Sequence, residues 1–232
     1  MDEIEWWEFE SEKDLAEQAA GDIGFVIERA IEAHGGARVA LPGEDAPEAI
    51  FSALLQNRAI DWSRVTLIPT DDRLVPLDDQ KSAYRRLDGM FGAVGAEIVS
   101  LVDESALQDV REAGRLADAR LSLLQWPLDL ACLGVGVDGH TAGMLAGPDL
   151  DAAVAGPRER RAVGVRHESG EPRITLTAPV ISSARAVMLV LKGSETRHAL
   201  EQAIKEGPLS SKPVGRVLSA IEAPIDIFWS AD

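Results

Sequence analysis

Cysteine is nearly absent: Cys132 is the one thiol in 232 residues. No disulfide framework can form, so a reducing, cytoplasmic compartment is expected. Aromatic residues are 5% of the chain, too few for a platform on which single-stranded bases stack. Positive charge is scarce as well. The 23 lysines and arginines face 39 aspartates and glutamates, a formal net charge of −16 that repels phosphate backbones and argues against nucleic acid as a partner. Long hydrophobic runs are missing. The longest strong one, residues 186–191, is strand-sized, far short of the ~20 residues of a membrane span. The first residues carry neither a cationic stretch nor an apolar core, so neither a signal peptide nor a membrane partner is expected. There is no His-x-x-x-His or Cys-x-x-Cys pair to suggest a metal site, and no Gly-x-Ser-x-Gly elbow of an α/β-hydrolase.

What is present alternates short β-rich runs with helical periods. Residues 6–9 read as a first strand. Ser11 then caps a helix, with Asp14 three residues on. Leu15, Ala19, Ile23, Val26 and Ala30 form one apolar stripe, and Gly35 and Gly36 stop it. Strands follow at 38–41, 65–68, 97–102, 128–135, 162–165, 173–177, 186–191 and 225–229. Helices are expected from Pro47, over 104–125, and from a Ser194 cap to about Lys205. Residues 128–135 are nearly all apolar, as a strand buried on both faces should be. The pattern predicts one α/β domain over residues 1–232, a mostly parallel sheet covered by helices on both faces. In such folds ligands sit where the chain leaves the carboxyl ends of the strands.

The most unusual segment lies at such an end: Gly134-Val-Gly136-Val-Asp138-Gly139-His140-Thr141-Ala142-Gly143. Glycines let the backbone approach a ligand and present N–H groups. A neutral imidazole is a natural base near pH 7, and Asp138 stands two residues before it. The same stretch spells G-x-G-x-x-G, but no helix opens at once and no acid ends a second strand ~20 residues on, so a nicotinamide cofactor is not expected. A second loop is Thr70-Asp71-Asp72-Arg73-Leu-Val-Pro76, where Arg73 could pair with an anion. A third runs Leu41-Pro42-Gly43-Glu44-Asp45-Ala46-Pro47, whose acids suit the dipole of the helix that follows. Cys132 reads as a small core residue, and His34 as a helix-end residue. His167 and His198 lack glycine or acid partners of the right kind.

Taken in order, these segments resemble the 6-phosphogluconolactonases of the glucosamine-6-phosphate isomerase/6-phosphogluconolactonase family. The resemblance runs from Asp61-Trp62 through Thr70 to Pro76 and Ser82. It continues through Pro127-Leu-Asp129 into the Gly134 to Ala142 block, and then through Arg173-Ile-Thr-Leu-Thr177-Ala-Pro179. It implies a Rossmann-like fold and hydrolysis of 6-phosphoglucono-1,5-lactone to 6-phosphogluconate in the pentose phosphate pathway. The small-molecule sugar-phosphate lactone is then the partner, no metal or organic cofactor is used, and the chain is a monomer or dimer. His140 is implied as the general base, with glycine-loop N–H groups as an oxyanion hole. Asp138 and Asp71 are the acids that would support the imidazole, the choice between them being open. Gly43, Arg73, Gly136, Gly139, Thr141, Arg173 and Arg197 would line the substrate site.

This chain departs from the family pattern at the phosphate end. Pro42 to Pro47 replaces Ser-Gly-Gly-Ser-Thr-Pro, placing Glu44 and Asp45 where a dianion would be repelled. Asp72 shortens a glutamate, Ala83 replaces an asparagine, and Arg197 takes the place of a Gly-x-x-Lys lysine. Three alternatives follow: a non-catalytic sugar-acid or sugar-phosphate binding paralogue, a lactonase for an unphosphorylated sugar lactone, and a glucosamine-6-phosphate deaminase-like isomerase. The last would need a glutamate beyond the histidine, and Gly143-Met144-Leu145-Ala146 offers none.

Overall fold

The computed structural model describes residues 4–43, 48–167 and 171–231. The strands are β1 Ile4–Phe9, β2 Ala37–Leu41, β3 Val65–Pro69, β4 Asp71–Arg73, β5 Glu97–Ile98, β6 Leu130–Gly134, β7 Ala162–Val165, β8 Arg173–Leu176, β9 Val187–Lys192 and β10 Ile225–Ser230. The helices are α1 Glu12–His34, α2 Glu48–Leu55, α3 Ala83–Phe91, α4 Val110–Leu121, α5 Leu150–Val154, α6 Ala178–Ser182, α7 Ser194–Glu206 and α8 Pro213–Leu218. Seven strands make a parallel sheet in the order β1-β10-β9-β6-β2-β3-β5. The mostly parallel α/β architecture expected from the sequence is present.

Period-two alternation explains why the sheet is covered twice. In β9, Val187, Leu189 and Leu191 join a core with Ala113, Ala117 and Leu121 of α4 and Leu200 of α7. Met188 and Val190 face the other way, into a core with Leu15 and Ile23 of α1, Phe51 of α2 and Phe91 of α3. Phe51 and Phe91 meet edge to face at 5.6 Å, both fully buried, each contributing roughly 1.5–3 kcal/mol by leaving water. Helix α1 begins and ends as the sequence predicts. Ser11 Oγ accepts the Asp14 N–H at 3.1 Å, and Gly35, at φ 86°, closes the last turn onto the Ile31 carbonyl.

Four local expectations are corrected. The helix over 104–125 is a 3-10 turn at Glu104–Ala106 and then α4, because Asp109 caps the backbone N–H groups of Arg111 and Glu112 and so restarts the helix. Of the strand over 97–102, only β5 pairs. Ser194 is the first residue of α7; the cap position is Gly193, at φ 85°. The segment after Thr70 is no loop. β4 pairs antiparallel with β8, and β8 with β7, in a separate three-stranded sheet. The helix start at Pro47 lies outside the described residues. Among those described, no helix is long and apolar enough to cross a membrane.

Strand order locates the crevice. From β2 the chain moves to β3 and β5 on one side, then returns to β6 on the other side of β2. The direction of winding therefore reverses between β2 and β6, and ligands in such sheets bind beyond the carboxyl ends at that reversal. The chain leaves the sheet there after β2, β3 and β6.

Candidate active site

The loop after β6 is a tight turn built on itself. The Gly136 N–H donates to the His140 carbonyl at 3.0 Å, and the Gly139 N–H to the Gly136 carbonyl at 2.9 Å. Thr141 Oγ1 donates to the Gly134 carbonyl at 2.7 Å, fully buried. These bonds occupy part of the loop's N–H groups. The N–H groups of Gly136, Gly139 and His140 are spent inside the turn, and Thr141 fastens the turn to the strand. The glycines do another job. A methyl at Gly136 would fall on the His140 ring, and one at Gly139 on the Lys212 side chain.

Asp138 is the acid that meets His140. Its Oδ1 lies 2.5 Å from Nδ1 and accepts the His140 backbone N–H at 3.0 Å. An ionised carboxylate only accepts, so the proton of this contact is carried by Nδ1. Burial works to raise the Asp138 carboxyl, but the hydrogen bonds and charge of His140 prevail and hold it below the usual carboxylate range. Asp71 serves a different partner. It is buried, and its Oδ2 accepts from Arg173 Nη1 at 2.5 Å across the β4–β8 pairing.

The two acids nevertheless belong to one constellation. Gly143, at φ 64°, packs so tightly on Asp71 that any side chain there would strike its carboxyl group. Thr175 of β8 donates to the Ala142 carbonyl at 2.6 Å. The histidine loop is thereby fastened to the Asp71–Arg173 pair.

Other expected residues sit as follows. Arg73 donates to Glu171 at 2.9 Å, an acid it shares with Lys81. Gly43 lies against Ala83 with no room for a side chain, and its carbonyl accepts from Arg86 Nη1 at 2.9 Å. Glu44 and Asp45 lie outside the described residues. Arg197 is not brought to this cluster. Its guanidinium stacks on Trp6 and Trp229 and pairs with Glu8 and Glu201, at the β1–β10 edge. The third residue after Gly193 is the buried Thr196, and one further step around a helix turns the side chain by ~100°, toward the tryptophans. Asp72 is fully buried and caps α3 through the N–H groups of Ala83 and Tyr84 at 2.7 and 3.0 Å. Burial pushes its pKa up to about 6, against those hydrogen bonds. The Cys132 thiol is pushed to about 12 by burial, as a core residue should be. Among the described residues, no group of three or more acids, histidines or cysteines could hold a metal ion.

Comparison with known proteins decides the family. A family model described as glucosamine-6-phosphate isomerases/6-phosphogluconolactonase matches residues 10–227. The chain is 34% identical over 227 residues to the 6-phosphogluconolactonase of Rhizobium meliloti strain 1021, covering 96% of this chain and 97% of that protein. It is 31% identical over 226 residues to the 6-phosphogluconolactonase of Pseudomonas aeruginosa. The crystal structure of a 6-phosphogluconolactonase from Shewanella baltica superposes with a TM-score of 0.90, at 27% identity, over 99% of this chain and 98% of that one. The chain belongs to the glucosamine-6-phosphate isomerase/6-phosphogluconolactonase family.

Within this family member, sequence reasoning passed over Lys212 and Arg86 and set His167 aside. Lys212 drapes its aliphatic stem over Gly139 and ends on Gln202 at 2.9 Å. Arg86 holds the loop after β2. His167 stands in the β7–β8 connection, buried, with electrostatic influence from Arg173 and His140. No sequence signal joins Lys212 to the glycine loop or Arg86 to Gly43, because these contacts are made by the fold.

Proposed function

We propose that the protein hydrolyses 6-phospho-D-glucono-1,5-lactone to 6-phosphogluconate, with His140 as general base. The observation that carries the reading is the Asp138–His140 pair at the carboxyl end of β6, with Asp138 Oδ1 against the imidazole Nδ1. Nε2 takes a proton from water as the water oxygen attacks the lactone carbonyl carbon. Asp138, kept ionised, stabilises the imidazolium that forms. The tetrahedral intermediate then expels the ring oxygen, which recovers the proton from Nε2. The products are a hydroxyl and a carboxylic acid that ionises in solution. Arg173, paired with Asp71, and Arg73, paired with Glu171 and lying opposite Arg173 in the β4–β8 register, bring positive charge to the same cluster, and to them falls the substrate's anionic end. The family relatives named 6-phosphogluconolactonase support the substrate.

The test is acid release at constant pH from freshly prepared lactone. Turnover well above buffer, and a kcat/KM at least tenfold higher for the phosphorylated than for the unphosphorylated gluconolactone, is expected. Equal turnover of the two would transfer the assignment to an unphosphorylated lactone. Binding without turnover would identify a non-catalytic paralogue.

A further inference from the structure

The turn that carries the proposed base has little beneath it. Gly136 and Gly139 spend their N–H groups inside the turn, Val137 at its tip is 63% exposed, and Asp138 is exposed too. Among the described residues, one hydrogen bond reaches residues 136–139 from another element. It comes from α8, whose Val214 N–H donates to the Gly139 carbonyl at 3.0 Å.

Lys212, just before α8, makes a second contact with the same glycine. Gly139 stands at φ 80°, and the space that a side chain would need is filled. Lys212 Cβ, Cγ and Cδ lie 2.6–2.8 Å from where a Cβ on Gly139 would be. The lysine stem is thus pressed on the residue before His140. A lysine can lay its stem on a surface and leave its head in water, but here the head is tied as well. Lys212 Nζ donates to Gln202 Oε1 at 2.9 Å, and Gln202 Nε2 to Glu206 Oε1 at 2.8 Å. Ser210 Oγ donates to Glu206 Oε2 at 2.7 Å and accepts the Lys212 backbone N–H at 3.1 Å. The ring of bonds closes on Lys212, so base and head of the side chain are both held, and the stem has few rotamers left.

A movement at Gly139 would not stay there. Its N–H bonds the Gly136 carbonyl, and the Gly136 N–H bonds the His140 carbonyl, so both sides of the Asp138–His140 contact are linked to it. A misplacement on the order of 1 Å at a reacting group can cost up to ~10²-fold in rate.

Resting on the lactonase reading, we propose that Lys212 is a positioning residue for His140: its aliphatic stem, packed on Gly139, holds the turn in the shape that brings Asp138 to the imidazole. It acts through the turn, so its loss is read in kcat.

Two variants separate stem from head. Lys212→Ala removes both, and Lys212→Met keeps a stem without the ammonium group. For the alanine variant, kcat for the phosphorylated lactone should fall about tenfold with KM within about threefold, and the methionine variant should recover most of the kcat. A methionine variant as slow as the alanine variant would overturn the role of the stem. Wild-type kcat in the alanine variant would overturn the proposal, and so would a change confined to KM, the mark of a substrate contact. The His140 ring nitrogen resonances read the same contact without turnover. They should move in Lys212→Ala and return toward their wild-type positions in Lys212→Met; resonances unmoved by alanine would overturn the proposal. A wild-type protein that hydrolyses no lactone would defeat the catalytic reading alone, and these resonances would still decide whether Lys212 holds the turn. Should the alanine variant not fold, Lys212→Val, which keeps only the first carbons over Gly139, should show a partial loss of kcat, and wild-type kcat there would overturn the proposal.

Discussion

At the scale of single residues, the site depends on a carboxylate two positions from the imidazole it orients. Replacing Asp138 by Asn keeps an acceptor and removes the charge that stabilises the imidazolium. We expect kcat to fall by roughly tenfold or more with KM little changed, measured by acid release. Asp72 yields a second prediction, on stability. Its folded pKa, about 6, lies above the ordinary 3.8, so the folded state binds the proton more tightly. That contribution is fully present below pH ~4 and is lost as pH rises through 6, at most about 3 kcal/mol. Denaturant midpoints of wild type and Asp72→Asn, compared from pH 4 to 7, should diverge in slope within that window; parallel curves would contradict the assignment. The glycine-rich histidine loop was legible in the sequence because its chemistry is local: base, acid and glycines lie within ten residues. The partner of Asp71 was not, since Arg173 is 102 residues away and reaches it only through the β4–β8 pairing. Arg197 misled for the opposite reason, as one position along a helix decides whether a cation faces a site or a pair of tryptophans.

At the scale of elements, α4 and β7 approach so closely that neither tolerates a side chain at the contact. A methyl on Gly164 would overlap the Val110 carbonyl, and one on Gly114 the Gly164 backbone. Gly164→Ala should therefore destabilise by about 1–3 kcal/mol or more, lowering Tm by several degrees, whereas Gly21→Ala, where open space surrounds the position on α1, should not destabilise. Calorimetry checks both. Asp129 ties three strands at their amino ends, taking the Arg38 N–H at 2.8 Å, His34 Nε2 at 3.0 Å and Arg185 Nε at 3.4 Å. This gives His34 a partner that helix-dipole reasoning did not find. Strands with clean alternation or continuous burial were legible, as were the Ser11 and Gly35 ends of α1. The Asp109 break and the small antiparallel sheet were not, because a capping aspartate inside a helical period and a three-residue strand leave little periodic signal.

At the scale of the whole molecule, a net charge of −16 surrounds a site proposed to take an anion. Long-range repulsion slows encounter, and salt screens it within about 8 Å at 0.15 M ionic strength, against about 30 Å at 0.01 M. KM for the phosphorylated lactone should therefore fall as salt rises from 0.01 to 0.15 M, with the unphosphorylated lactone unaffected, as initial rates will show. The architecture was legible because alternating strands and helices leave few ways to cover a sheet twice, and the reversal between β2 and β6 then brings the loops together. The most direct measurement of the whole account is the rate of acid release from 6-phosphogluconolactone by wild type and His140→Ala under identical conditions. Loss of roughly 10²–10⁴-fold in kcat, with the variant still folded and still binding 6-phosphogluconate, is the predicted result; wild-type turnover by the alanine variant would contradict it.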